Sequence, residues 1–323
     1  MREQRVARLD GVRALAILAV VLVHWVGTRV GVGRGGYIGV DVFFVLSGYV
    51  ITRSLVRRPV TYREFMKRRL LRLYPALLAV VSVGSVVCVA LGQTDGLRGG
   101  AVAAVTQVSS VWAAAGGNIG PFGITWSLAV EWYFYLLWPL ALPWVTRQHR
   151  PARFLVGAAG VLYLVALSQP AGVFYFGPVA RFPEIMIGCS LALGIPRMPR
   201  GAGYWLVAAA GVWVVAGPSE LSPLYRWVGL PLGVLAAVAL IVNGAPGLSS
   251  LAPVGRASYS LYLWHAMPIA WLENDGMARG PKLAIIATLA VVATWVSYRL
   301  LELPAMRAPR EATRGQNVAT SAT

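Results

Sequence analysis

Apolar residues come in ten long stretches separated by short polar segments: Ala14–Val26, Tyr37–Ile51, Leu77–Leu91, Ile124–Val145, Phe154–Leu167, Phe174–Ile195, Tyr204–Ala216, Trp227–Val242, Ala257–Leu272 and Leu283–Leu301. Each is about 14 to 22 residues long once snorkelling arginines and aromatic ends are counted, which is the reach of a helix across the hydrocarbon core of a bilayer. The pattern predicts an all-α fold, a polytopic membrane helix bundle of about ten transmembrane helices. An eleventh segment, Ala101–Ala115, is short and rich in Ala, Ser and Gly, with Gln107 inside it.

Charge decides that segment. Arg53–Arg72 and Arg147–Arg153 are both strongly basic, and short basic loops stay on the cytoplasmic side. An even number of crossings must separate them, and the third and fourth stretches already supply two. Ala101–Ala115 is therefore expected to be a re-entrant or surface helix. The remaining loops alternate: Arg197 and Arg200 inside, Glu220 outside, Arg256 inside, Glu273 and Asp275 outside, Arg307 to Arg314 inside. Both termini are expected in the cytoplasm of a multi-pass cell-membrane protein. Residues 308–323 are polar and expected to form a disordered tail, leaving 1–307 as one transmembrane domain. The first stretch lacks a small-residue cleavage site, so no removable signal peptide is expected.

Composition sharpens this picture. The chain of 323 residues is 57% hydrophobic and 13% charged, with a mean hydropathy of +0.64. A soluble domain of that length carries far more surface charge. The net charge of +17 raises nucleic acid as a partner. Its placement excludes one, because the basic residues sit between apolar runs and the aromatics do not interleave with them. Cys88 and Cys189 lie inside apolar runs and read as small buried hydrophobes. They offer neither a disulfide framework nor metal-ligand spacing, and no metal is expected.

What remains are ionisable groups inside apolar runs. The stretch from Arg8 to His24 reads R-L-D-G-V-R-A-L-A-I-L-A-V-V-L-V-H. Arg13 and His24, eleven residues apart, share one helical face roughly 16 Å apart along the axis. In a soluble core a lone histidine is usually a satisfied core residue. In a bilayer an ionisable group is costly and faces a cavity or a partner, which favours a functional His24. In the basic connection, Arg68, Arg69 and Arg72 precede Pro75, with Arg69 and Arg72 on one face. They are topology anchors and also a candidate anion site, since guanidiniums bind phosphate oxygens bidentately. Asp41, Glu131, Arg181, Glu184 and His265 also fall in apolar runs. Arg181 and Glu184, three apart, are expected to pair. Glu131 needs a partner from another helix, with Arg181 and His24 as candidates. Ser258, Tyr262 and His265 share a face, and His149 is expected to be solvated.

Six segments in order resemble the integral-membrane acyltransferase 3 family: the Arg8–His24 run, G-Y-I-G-V-D-V-F-F-V-L-S-G-Y-V-I, K-R-R-L-L-R-L-Y-P, T-W-S-L-A-V-E-W-Y-F-Y-L-L-W-P-L, R-F-P-E-I-M-I-G and S-Y-S-L-Y-L-W-H. The resemblance runs from Arg8 to about Pro304. It implies a ten-helix enzyme that moves an acyl group, expected to be acetyl, from cytoplasmic acyl-CoA to a hydroxyl-bearing acceptor. Acceptors in the family are hydroxyls of cell-surface glycans, lipids or secreted small molecules such as macrolides. The family's essential first-helix histidine matches His24. Its R-x-x-R-x-x-P matches Arg69, Arg72 and Pro75, and its D-x-x-R matches Asp10 and Arg13. Many relatives also carry a C-terminal extracytoplasmic hydrolase-like domain, and none is expected here.

Acyl transfer to a hydroxyl needs a base or a relay nucleophile, and histidine serves as either near neutral pH. His24 is the expected catalytic group. Glu131, or else Asp41, is expected to orient its other ring nitrogen, as carboxylates do in triads. Arg13, Arg68, Arg69 and Arg72 are expected to hold the CoA phosphates. The alternative is a transporter or flippase in which buried Asp, Glu and His form a proton relay. Such a carrier has no need of the arginine cluster, and no inverted repeat is evident.

Overall fold

The computed structural model describes residues 2–27, 31–194, 198–272 and 279–305. These residues are helical nearly throughout and include no strand. The tail from residue 308 and the topology markers Arg197, Glu273, Asp275 and Arg307 to Arg314 lie outside them.

The chain enters as α1 (Arg2–Leu22), which loosens into a π-helical turn over Val23–Gly27. Then come α2 (Ile38–Arg57) and α3 (Tyr62–Ala90). Two short helices follow, α4 (Leu97–Val105) and α5 (Ser109–Ala114), in the segment expected not to cross; at nine and six residues neither reaches across a bilayer. Next are α6 (Trp126–Thr146), α7 (Pro151–Leu167), α8 (Ala171–Phe176), α9 (Pro178–Leu193), α10 (Arg200–Ala216) and α11 (Leu230–Val242). The chain continues through α12 (Ala252–Arg256), α13 (Ser258–Trp264), α14 (Met267–Trp271) and α15 (Arg279–Ser297).

Among the described residues, six helical segments are long and apolar enough to cross a membrane, and they coincide with the second, third, fourth, sixth, eighth and tenth predicted crossings. The fifth and seventh are apolar helices of 17 residues each, α7 and α10. The first opens with the charged run to Arg13, which dilutes its apolar length. The ninth differs most from expectation. It is not one helix but α12, α13 and α14 in succession, with Pro253 and Pro268 at the starts of α12 and α14. A proline fits there because its missing N–H is already unpaired at a helix start. Broken helices persist inside a membrane where they line a cavity or are covered by protein.

The outer faces are apolar. Trp205, Val86, Leu164 and Leu300 are 78, 69, 68 and 68% exposed, an arrangement suited to lipid rather than water. Polar groups turn inward. α1 and α2 pack together at the centre, and α1 also lies against α12 and α13. The most extensive crossing is that of α2 with α9. A Cβ on Gly48 would stand 2.0 Å from the Ile185 carbonyl oxygen, and one on Gly188 would stand 1.9 Å from that of Val45. Two glycines facing opposite backbones let the helices touch, the usual small-residue solution in a membrane. This crossing carries Arg181 on α9 over Asp41 on α2.

Candidate active site

α3 begins with a threonine N-cap. The Thr61 Oγ1 accepts the Glu64 N–H at 3.3 Å, with Glu64 at the third position of the helix. The helix therefore runs through the whole arginine cluster before it turns apolar. That rotation sorts the cluster. Arg69 and Arg72, three residues apart, face the interior and line a cavity of about 170 Å³. Arg68 instead turns outward and pairs with Glu64, with 46% of its side chain exposed. The expectation that Arg68 joins the other three is corrected on this point, because i and i+1 do not share a helix face.

The same cavity receives Arg13 from α1 and Glu131 from α6. Arg13 is ion-paired with Asp10. The Arg69 guanidinium lies over the rings of Phe65 and Tyr135, at 5.1 and 5.4 Å from their centroids. Glu131 accepts hydrogen bonds from Ser47 Oγ and from Tyr135 Oη, the latter at 2.8 Å. These three guanidiniums face three carboxylates: Asp10, Glu131 and the buried Glu302, whose charge acts on Arg72 and Arg13. The Arg72 Nε is buried without a protein partner. A buried guanidinium donor left unpaired beside a cavity is suited to an anionic ligand.

His24 lies three helical turns beyond Arg13, in the π turn that ends α1. π turns inside helices frequently mark functional positions. His24 lines a second, much larger cavity of about 1380 Å³. Tyr37, Trp126 and Tyr175 supply aromatic walls, and Asp95, Glu220 and Lys282 supply charge. Burial pushes the Glu220 carboxyl above its ordinary range, and a hydrogen bond with Tyr37 partly offsets this. The His24 Nδ1 donates to the Val20 carbonyl at 2.8 Å. Its ring meets Tyr37 edge-on at 5.7 Å between centroids and His265 at 4.9 Å.

The two cavities share two wall residues, Val40 and Tyr262. The Tyr262 hydroxyl donates to the Ile124 carbonyl at 2.9 Å and shares a 2.7 Å hydrogen bond with Ser127 Oγ. Ile124 belongs to the histidine cavity and Ser127 to the arginine cavity, so this one hydroxyl ties the partition together.

Asp41 is at neither cavity. Its Oδ1 accepts from Arg181 Nη1 at 3.0 Å and from Tyr225 Oη at 2.7 Å. Arg181 also donates to Glu184 at 2.9 Å, the expected pair, and to the Tyr175 carbonyl at 2.8 Å. Arg181, Asp41 and Glu184 are almost wholly buried. The expectation that Glu131 or Asp41 orients His24 is corrected accordingly: the hydrogen bonds of both carboxylates go elsewhere. The glycine crossing of α2 and α9 engages Asp41 with Arg181, and the α3–α6 contact engages Glu131 near Arg69. The side chains against His24 that sequence reasoning did not foresee are Tyr37 and His265. His265 was visible as a histidine in an apolar run. Glu220, a marker of sidedness in the sequence, is a wall residue of the histidine cavity. His149 is exposed, as expected.

Two cavities set back to back in a bundle of apolar helices define a multi-pass membrane protein built around a polar interior. The chain belongs to the acyltransferase 3 family, whose acyltransferase-domain model matches residues 6–302. It is 33% identical over 322 residues to a protein of Komagataeibacter xylinus named as membrane-bound transacylase BcsY, covering 91% of this chain and 81% of that one. It is 31% identical to the peptidoglycan O-acetyltransferase OatA of Listeria monocytogenes and 28% identical to the O-acetyltransferase OatA of Staphylococcus aureus. These matches cover 93 and 92% of this chain, which spans 55 and 56% of the length of those two relatives. No solved structure matches the chain. The protein is thus an acyltransferase, and the carrier alternative is set aside.

Proposed function

We propose that the protein takes an acyl group, most simply acetyl, from cytoplasmic acyl-CoA and transfers it to a sugar hydroxyl presented from the opposite side of the cell membrane. The observation that carries this reading is the pair of cavities on either side of Val40 and Tyr262, one lined by three arginines and the other by His24. On this reading both chain ends and the basic loops lie in the cytoplasm, in keeping with the distribution of arginine.

The residues of the arginine cavity suit a thioester donor. About 170 Å³ is below the roughly 300–1,000 Å³ of a typical ligand pocket. Only the thin thioester-bearing arm fits inside, and the nucleotide stays at the exposed, basic start of α3. Arg69 and Arg72 hold phosphate oxygens at the mouth, and Arg13 adds charge from α1. Bound acyl-CoA supplies an activated acyl carbonyl. His24 takes the proton of the attacking hydroxyl as the O–C bond forms and the C–S bond breaks, and the leaving thiolate regains that proton. The histidine cavity, with its aromatic walls and charged rim, has room for a sugar unit of the peptidoglycan or of another exported glycan. The aromatic rings offer apolar faces and the charges offer hydroxyl partners.

The test is mass spectrometry of wall and exported glycans from cells expressing the protein, against cells expressing His24→Ala. An acetyl increment on a glycan that vanishes with His24→Ala is the expected result. Identical profiles from the two strains, with both proteins inserted, would overturn the proposal.

A further inference from the structure

We infer that Glu220 is a specificity-determining residue of the histidine cavity: its carboxylate holds a non-reacting hydroxyl of the acceptor sugar, so that another hydroxyl of the same sugar is presented to His24. The inference deepens the reading of this cavity as the acceptor site and rests on it.

The backbone builds the position of Glu220. α10 ends at Ala216, and its last turn is pinned to the single helical turn Arg34–Tyr37. The Gly33 N–H donates to the Val215 carbonyl at 2.7 Å. Gly35 lies so close to α10 that a Cβ there would stand 1.8 Å from the Trp213 carbonyl oxygen, an approach that only glycine permits. The chain leaves α10 through Gly217, whose N–H donates to that same Trp213 carbonyl at 2.7 Å. Three residues on, Glu220 comes to lie beside Tyr37.

Tyr37 links Glu220 to the reacting end of the cavity. Its hydroxyl hydrogen-bonds the Glu220 carboxyl group, while its ring meets His24 edge-on at 5.7 Å. The Tyr37 ring also meets Tyr175 at 5.9 Å, and Tyr175 meets Trp126 at 4.9 Å. These three aromatic side chains line the same cavity as His24 and Glu220 and form a continuous wall. A sugar ring carries apolar C–H faces and a rim of hydroxyls. The aromatic wall suits the faces, and the hydroxyls need hydrogen-bond acceptors.

Glu220 has acceptor capacity to spare. Its Oε2 is buried with no hydrogen-bond partner in the protein. A buried acceptor without a donor is costly, and a sugar O–H removes that cost. Asp95, which also lines the cavity, is exposed, and its Oδ2 already accepts the Asn118 amide at 2.9 Å. Glu220 meets Tyr37 at the hydroxyl and His24 meets it at the ring, so the two groups are offset along that side chain. A sugar held through one hydroxyl at Glu220 therefore offers a different hydroxyl to His24. Proton transfer stays with His24; Glu220 only binds.

The test uses the full-length protein in nanodiscs with acetyl-CoA. The acceptor is the disaccharide fraction cut from the glycan that carries the acetyl increment in the mass-spectrometry experiment above. In Glu220→Leu the acceptor KM should rise about tenfold or more, as expected when a hydrogen bond to a charged group is lost. Acetyl-CoA affinity should be unchanged, which also reports that the variant is folded. Acetyl groups, mapped by NMR on product quenched in acid, should spread from one hydroxyl to several on the same sugar. Glu220→Gln keeps a neutral hydrogen-bonding group and should fall between the two. An acceptor KM unchanged in Glu220→Leu, or a product still acetylated at a single position, would overturn the inference. So would acetyl-CoA affinity lost in step with turnover, which would make Glu220 a structural residue. Expressing cells without any acetylated glycan would refute the acceptor reading itself, and this inference with it.

Discussion

Two clusters of arginine and carboxylate lie inside this bundle, and they are built differently. Around Arg181, one guanidinium meets two carboxylates, Asp41 and Glu184, with Tyr225 completing the set; Arg181 and Asp41 are 0% exposed and Glu184 is 1%. Around Arg72, three guanidiniums meet three carboxylates, Asp10, Glu131 and Glu302, and the guanidiniums open onto a cavity. The first cluster joins α2, α9 and the turn before α11 and lines neither cavity. Each holds a buried guanidinium nitrogen without a protein partner, Arg181 Nη2 in the first and Arg72 Nε in the second, but of the two only the second lines a cavity. Burial of charge in a membrane does not by itself identify a site. Access to a cavity does.

The sharpest way to break this comparison is to remove the guanidinium of the closed cluster. Arg181→Met strands two carboxylates, and loss of one partner from a buried pair costs about 3–5 kcal/mol. The expected outcome is loss of folded protein, read by thermal unfolding in detergent. A triple change, Asp41→Leu, Arg181→Met and Glu184→Leu, should recover most of that stability. If the single variant were stable but inactive, the closed cluster would belong to the chemistry.

In the open cluster the effect should fall on binding. Arg69→Ala and Arg72→Ala should each leave the protein folded and weaken acetyl-CoA binding about tenfold or more, since hydrogen bonds to charged groups contribute about 1.5–3 kcal/mol. Titration calorimetry on the inserted protein measures this. An equal loss from Arg57→Ala would reduce the effect to general electrostatic attraction.

Between these lies the crossing that builds the closed cluster. Gly188→Ala puts a methyl group onto the Val45 carbonyl and should cost about 1–3 kcal/mol of stability by overpacking. Donor affinity should hardly change, because the arginine cavity does not lie at that crossing. The smallest effect belongs to Arg68→Ala. Its pairing with Glu64 is nearly half exposed, and such pairs contribute about 0–1 kcal/mol. Donor affinity should stay within about twofold, on the same reasoning.

Much of this was legible in the sequence. Hydrophobic runs marked the helices, arginine placement separated the non-crossing segment from its neighbours, and a three-residue spacing announced the Arg181–Glu184 pair. Arg13, Arg69, Arg72 and Glu131 could each be named as ionisable residues in or beside apolar runs. Their convergence on one cavity could not, because it depends on the crossing of three helices. Asp41 was misplaced for the same reason: local spacing carries no sign of the α2–α9 glycine contact that sets it against Arg181. The π turn under His24 and the break beside His265 were also invisible, since helix periodicity assumes an unbroken helix. The outward turn of Arg68 was the exception, because its i, i+1 relation to Arg69 already placed it on another face.

The central claim is that donor binding and proton transfer occupy separate cavities, with His24 doing the chemistry. The most direct test is to measure acetyl-CoA affinity and acetyl transfer side by side in purified, inserted His24→Gln. Glutamine keeps a hydrogen-bonding group but cannot cycle a proton. The account predicts donor affinity equal to that of the unaltered protein and transfer lowered by about 10² to 10⁴. Substantial turnover in His24→Gln, or donor affinity lost together with transfer, would contradict it.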